Sequence, residues 1–114
     1  VGGGAVAVAP ILTWTSATTV NTPTFSAALV GAIVGDIITL NWASDAGFTA
    51  ILGTATNTID AGEQASQIAP FATGVLADGV YYFRAKHNSS AWSNTVTVTI
   101  AALSAGWFQI LLAA

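Results

Sequence analysis

Residues 77–100 read ADGVYYFRAKHNSSAWSNTVTVTI, and this stretch decides the fold. Tyr81, Phe83 and Ala85 alternate with Tyr82, Arg84 and Lys86, so one side is apolar and the other carries both of the chain's cations. Val96, Val98 and Ile100 alternate in the same way with Thr95, Thr97 and Thr99. Side chains on a strand point to opposite faces in turn, so this period predicts two half-buried antiparallel strands. His87-Asn88-Ser89-Ser90 between them is turn-rich and long enough to close a hairpin.

The composition narrows what such a chain can be. With 114 residues it is one domain, large enough for a single core. Hydrophobic residues make up 54% and charged residues only 6%, against roughly a quarter charged in ordinary soluble domains. A membrane helix needs roughly 18 or more apolar residues in a row. The best run, 27–34, is short, broken by Gly31 and followed by Gly35 and Asp36, so no membrane association is expected. The consistent alternative is a β-protein whose outer face is Thr, Ser, Asn and Ala, a surface that also suits burial in an assembly. A net charge of −3 with two cations leaves no basic footprint for nucleic acid. Cysteine is absent, which excludes disulfides and thiolate metal sites. The lack of Met at position 1, and the opening Val1-Gly2-Gly3-Gly4, lead to the expectation of a processed or excerpted chain with a flexible linker at its start.

Outward from the deciding stretch, turn signals recur about every 8–15 residues, the spacing of an antiparallel sandwich. Residues 1–9 are expected to be a Gly/Ala-rich linker or arm, ended by Pro10. Strands are expected at 11–15, at 24–30 with Phe25 and Ala27 inward, and at 37–42 with Ile38, Leu40 and Trp42 on one side. Phe48–Leu52 reads as a further strand interrupted by Gly53, and 54–59 as a weak edge strand. Residues 60–67 carry no strand signal and fit a helical turn capped by Asp60. The sandwich is placed at 10–101. Beyond it, 102–114 ends in Trp107-Phe108-Gln109-Ile110-Leu111-Leu112. Each large apolar side chain left wet forgoes roughly 1.5–3 kcal/mol. Trp107, Phe108, Ile110, Leu111 and Leu112 are therefore expected to dock on another subunit.

Groups that could carry chemistry are sparse. His87 is the sole histidine, and the neighbouring Ser89 and Ser90 read as turn formers, so a strand-end or loop role is expected for it. Asp36, Asp45, Asp60, Glu63 and Asp78 all fall at turns or loops, where carboxylates cap and close the backbone. There is no Asp-x-Asp cluster for calcium, and Gly2-Gly3-Gly4 lacks the strand and helix of a phosphate loop. No cofactor, no metal and no enzymatic activity are expected. Among the aromatics, Trp14 and Trp42 are assigned to the core. Tyr82 and Trp92 are the candidates for a sugar-stacking platform or a protein contact, although cover over the sandwich's open edge is the preferred role for Trp92.

The stretches YYFRAKHN and SAWSNTVTVTI resemble the last two strands of fibronectin type III domains and the bacterial immunoglobulin-like modules close to them. In those modules an inward Tyr closes a corner, the position of Tyr81, and the Trp-Ser-Asn run before the last strand is matched by Trp92-Ser93-Asn94. Ile38-x-Leu40-x-Trp42 is similar to their buried-Trp strand, and Thr22-Pro23-Thr24-Phe25 to the first strand of the bacterial repeats. The likeness spans roughly residues 23–100. The corner Leu76–Tyr81 lacks the usual Pro and is one residue shorter, which leaves its hydrogen bond open. The pattern also resembles modules appended to phage tail and fibre proteins. Together these imply an all-β, immunoglobulin-like (fibronectin type III-like) antiparallel sandwich of about seven or eight strands with extended termini. The expected function is a non-enzymatic structural module of a virion or extracellular assembly, with other protein subunits or copies of itself as partners. The alternative is a carbohydrate-binding or adhesion module that meets surface glycans.

Overall fold

The computed structural model describes residues 7–17 and 20–101; residues 1–6, 18–19 and 102–114 lie outside the described residues, among them the expected docking side chains Trp107, Phe108, Ile110, Leu111 and Leu112. In chain order the elements are β1 (Ile11–Trp14), β2 (Thr24–Ala28), β3 (Ile37–Ala43), β4 (Ile51–Thr58), α1 (Ala61–Ser66), β5 (Ile68–Ala72), β6 (Gly79–His87) and β7 (Val96–Ile100). All pairings are antiparallel. They build a three-stranded sheet ordered β1-β2-β5 and a four-stranded sheet ordered β4-β3-β6-β7. The protein is an all-β immunoglobulin-like sandwich.

The period-two pattern drives this arrangement. Leu12, Phe25, Ala27, Ala69 and Phe71 of one sheet face Ile38, Leu40, Trp42, Phe83, Ala85, Val98 and Ile100 of the other. The sheets meet at Phe25 and Phe83, whose ring centroids lie 4.3 Å apart, and Trp42 flanks Phe83 at 5.8 Å. Such tilted contacts add to the burial of the rings themselves.

Position 53 corrects the sequence reading. Phe48–Leu52 and 54–59 are not two strands: β4 runs unbroken through Gly53. Gly53 pairs with Trp42, and the indole lies where a side chain would project, so an added Cβ would sit 2.2 Å from Trp42 Cζ2. The glycine makes room for a core tryptophan and does not end the strand. Phe48 instead belongs to the preceding turn and is buried.

The helical turn forms as expected. The Asp60 side chain accepts from Glu63 N–H, and the Glu63 side chain accepts from Asp60 N–H, a reciprocal capping box. Gln67, left-handed at φ 58°, closes α1. Its side chain donates to Ala32 O and accepts from Ala32 N–H, both at 2.9 Å, fastening the β2–β3 connection.

Three further hydrogen bonds order the sandwich. Tyr81 Oη donates to Ala77 O at 2.6 Å, so the shortened corner does make its hydrogen bond. Asn94 accepts from Leu12 N–H at 2.9 Å and donates to Leu12 O at 3.0 Å, tying β1 of one sheet to the approach to β7 in the other. Ile11 pairs with Ala28 beside the β2–β3 connection, whereas Ile100 pairs with Gly79 at the start of β6. The chain thus enters the sandwich at one pole and leaves it at the opposite one.

Candidate functional site

The outward side of β6 carries Tyr82, Arg84 and Lys86, each half-buried. Across the sheet, Lys86 stands in register with Thr39 and Thr56, and Arg84 with Asn41 and Thr54. Tyr82 is in register with Thr97 on β7. The face is lined with hydroxyls, as a threonine-rich outward pleat dictates.

Aromatic rings fix the two cations on it. The Arg84 guanidinium carbon lies 4.2 Å from the centroid of Phe48 and 4.0 Å from that of Trp92. Lys86 Nζ lies 4.8 Å from the Trp92 centroid. Contacts of this kind contribute about 0.5–2 kcal/mol each. Arg84 Nε–H donates to Asn41 Oδ1 at 3.0 Å, which gives the oxygen of that buried amide a donor. Trp92 reaches this place because Ser93 follows β6: Ser93 N–H donates to Ala85 O, and Ser93 Oγ accepts from Ala85 N–H.

Phe48 comes from the other side, on a turn knitted by Asp45. That carboxylate accepts from Thr49 N–H, Thr49 Oγ1–H and Ala50 N–H at 2.8–3.1 Å. The Ala50 amide first, and then the Thr49 hydroxyl and amide, hold the Asp45 carboxyl below its ordinary value. Phe48 itself adopts φ 55°, the left-handed region that bulky residues avoid. A strained backbone therefore presents the ring that stacks on Arg84.

At the entry pole sits a second polar cluster that sequence reasoning missed. His87 is buried at the end of β6, and its Nε2–H donates to Asp36 Oδ2 at 2.7 Å, across 51 positions. That bond is the main reason the Asp36 carboxyl is held below its ordinary value. Asp36 also accepts from Ile33 N–H, so the pair pins the β2–β3 connection to β6. A cavity of about 310 Å³ opens here between Val8, Val30, Ile33, Asp36, His87 and Asn88. Among the described residues no nucleophile is bonded to the His87 ring: Ser90 Oγ accepts from His87 N–H and donates to Ala91 O, and His87 Nδ1 is buried with no partner among them. The strand-end role expected for His87 describes its place, and the spacing to Asp36 gave no local signal of their contact.

The remaining sequence candidates stay apart. Asp60 and Glu63 serve α1, and among the described residues no three His, Cys, Asp or Glu side chains converge as metal ligands. No helix among the described residues is long and apolar enough to cross a membrane. Tyr82 and Trp92 do share one face, with Arg84 and Lys86 at its centre.

The sequence matches no protein-family model and no curated protein. Among solved structures the fold is similar to that of PhoD, with a TM-score of 0.59 at 15% identity. The match covers 86% of this chain and 18% of the PhoD chain, so this protein spans under a fifth of that structure's length. At such low identity the likeness establishes the β-sandwich and nothing about activity.

Proposed function

We propose that the protein is a non-enzymatic structural module of a virion or another extracellular assembly, of the fibronectin type III kind and held to neighbouring subunits through apolar terminal segments. The observation that carries this reading is the path of the chain, in at one pole and out at the other. A sandwich threaded this way can be set in series between other parts of an assembly without either connection crossing its faces. The corner bond of Tyr81 and the position of Trp92-Ser93-Asn94 against β6 support the choice of module. Exposed apolar residues support burial against partners: Ile11, Ala28 and Ile68 form one row across the outer three-stranded sheet, and Val30, Ile33 and Val34 continue it around the entry pole. The test is deletion of residues 103–114, with molar mass measured by light scattering. The expected result is loss of a self-associated state that the full chain forms. A full chain that is monomeric, or a mass that the deletion leaves unchanged, overturns docking through the tail.

The alternative, a carbohydrate-binding or adhesion module acting through Tyr82 and Trp92, draws support from the hydroxyl-lined face around them. Stacking of a neutral sugar on Trp92 is disfavoured, because Arg84 and Lys86 already lie over the indole.

A further inference from the structure

The chain has two Lys/Arg residues in all, and both stand on the same side of β6, two positions apart. Successive side chains on one side of a strand are roughly 7 Å apart, so the two positive charges repel. Four of the five carboxylates that could relieve such repulsion are engaged elsewhere: Asp36 with His87, Asp45 with its own turn, Asp60 and Glu63 with α1. Aromatic rings hold the cations in place instead. With Phe48 and Trp92 against the guanidinium and Nε given to Asn41, no hydrogen bond among the described residues takes up the terminal N–H groups of Arg84, which can meet an incoming acceptor. That planar fork matches a carboxylate, and its ordering entropy is already spent in the folded chain.

We propose that the outer face of the four-stranded sheet binds a carboxylated polysaccharide, with Arg84 and Lys86 each meeting a carboxylate and Tyr82, Thr39, Thr54 and Thr56 meeting sugar hydroxyls. The surroundings select this ligand over other anions. A sheet face lined with hydroxyls suits an extended glycan laid across it. A single-stranded nucleic acid binds by stacking its bases on exposed aromatic rings, and here Phe48 and Trp92 already hold the cations. An acidic protein segment would draw on apolar anchors; Ile37 and Val80 are exposed only at the margins of this face, and the neighbours of Arg84 and Lys86 across the sheet are Asn41 and threonines. The inference gives the glycan-binding alternative a definite chemistry and is independent of the tail: deleting residues 103–114 tests assembly and leaves this face intact.

The experiment is calorimetric titration of the full chain with oligogalacturonate and hyaluronan, with dextran as the neutral control, at low and high salt. The expected result is binding of at least one acidic glycan, weakened by salt, and no binding of dextran. Arg84→Gln and Lys86→Gln should each weaken it by about tenfold. Arg84→Lys, which keeps the charge and loses the fork, should weaken it nearly as much as Arg84→Gln. Circular dichroism and a thermal melt of each variant establish that it is folded, and Thr56→Ala, which leaves the cations untouched, serves if an Arg84 variant unfolds: it should weaken binding by about threefold. Failure of both acidic glycans to bind, equal binding of dextran, indifference to the substitutions, or equally tight binding of poly-glutamate would each overturn the proposal.

Discussion

The two sides of β6 are made from alternate residues of one strand, and they handle aromatic and polar groups in opposite ways. Inward, Phe83 and Ala85 are fully buried, and Phe83 meets Phe25 and Trp42 in tilted ring contacts. Outward, Arg84 and Lys86 rest on Phe48 and Trp92, rings that two separate loops deliver. The inner aromatics exclude water and join the sheets. The outer ones hold charge in a fixed place while leaving its edge wet. A single alternation of residues thus separates what makes the domain stable from what it can present to a partner.

The sharpest way to break this comparison is Phe83→Ala. Because the ring is wholly buried at the junction of the sheets, the substitution should cost about 3–5 kcal/mol by denaturant titration. A loss below about 1 kcal/mol would mean that the inner side is not the structural one. Next in size is Tyr81→Phe, which keeps the ring and removes the corner bond to Ala77. It should cost about 0.5–1.5 kcal/mol in the same assay, and an unchanged midpoint would show the bond to be ornamental. The smallest effect is on the outer side, through Asp45, whose turn presents Phe48. Its carboxyl is held below the ordinary 3.8. The stability that this adds is therefore complete above the unfolded value and is lost as pH falls through the lower, folded value. Thermal melts of the protein and of Asp45→Asn should differ most near neutrality and converge below pH 3.8. A gap that stays constant into acid would sever the link between Asp45 ionisation and the turn.

What could be read in the sequence was whatever depends on near neighbours. The alternation in β6 and β7 placed their inward residues correctly, and Asp60 at the head of a stretch without strand signal announced α1. Gly53 misled because its reason lies across the sheet in Trp42. Phe48 read as a strand residue, since nothing local signals a left-handed aromatic. Tyr82 and Trp92 were picked out as a surface pair, but the stacking of Arg84 and Lys86 on Trp92 emerges only when the 88–95 connection folds back on β6. The contact of His87 with Asp36 was hidden for the same reason, being made by two elements 51 positions apart.

The route of the chain through the sandwich has a mechanical consequence. β1 and β7 both run from the entry pole towards the exit pole, in different sheets. Tension applied to the two connections drags β1 and β7 lengthwise past β2 and β6, so the rungs of each ladder bear load together instead of unzipping singly. The Asn94 amide, gripping both backbone groups of Leu12, acts as a rivet against slippage between the layers. How long the domain survives a steady pull is then a matter of its rate of opening under load, set largely by those rungs and that rivet.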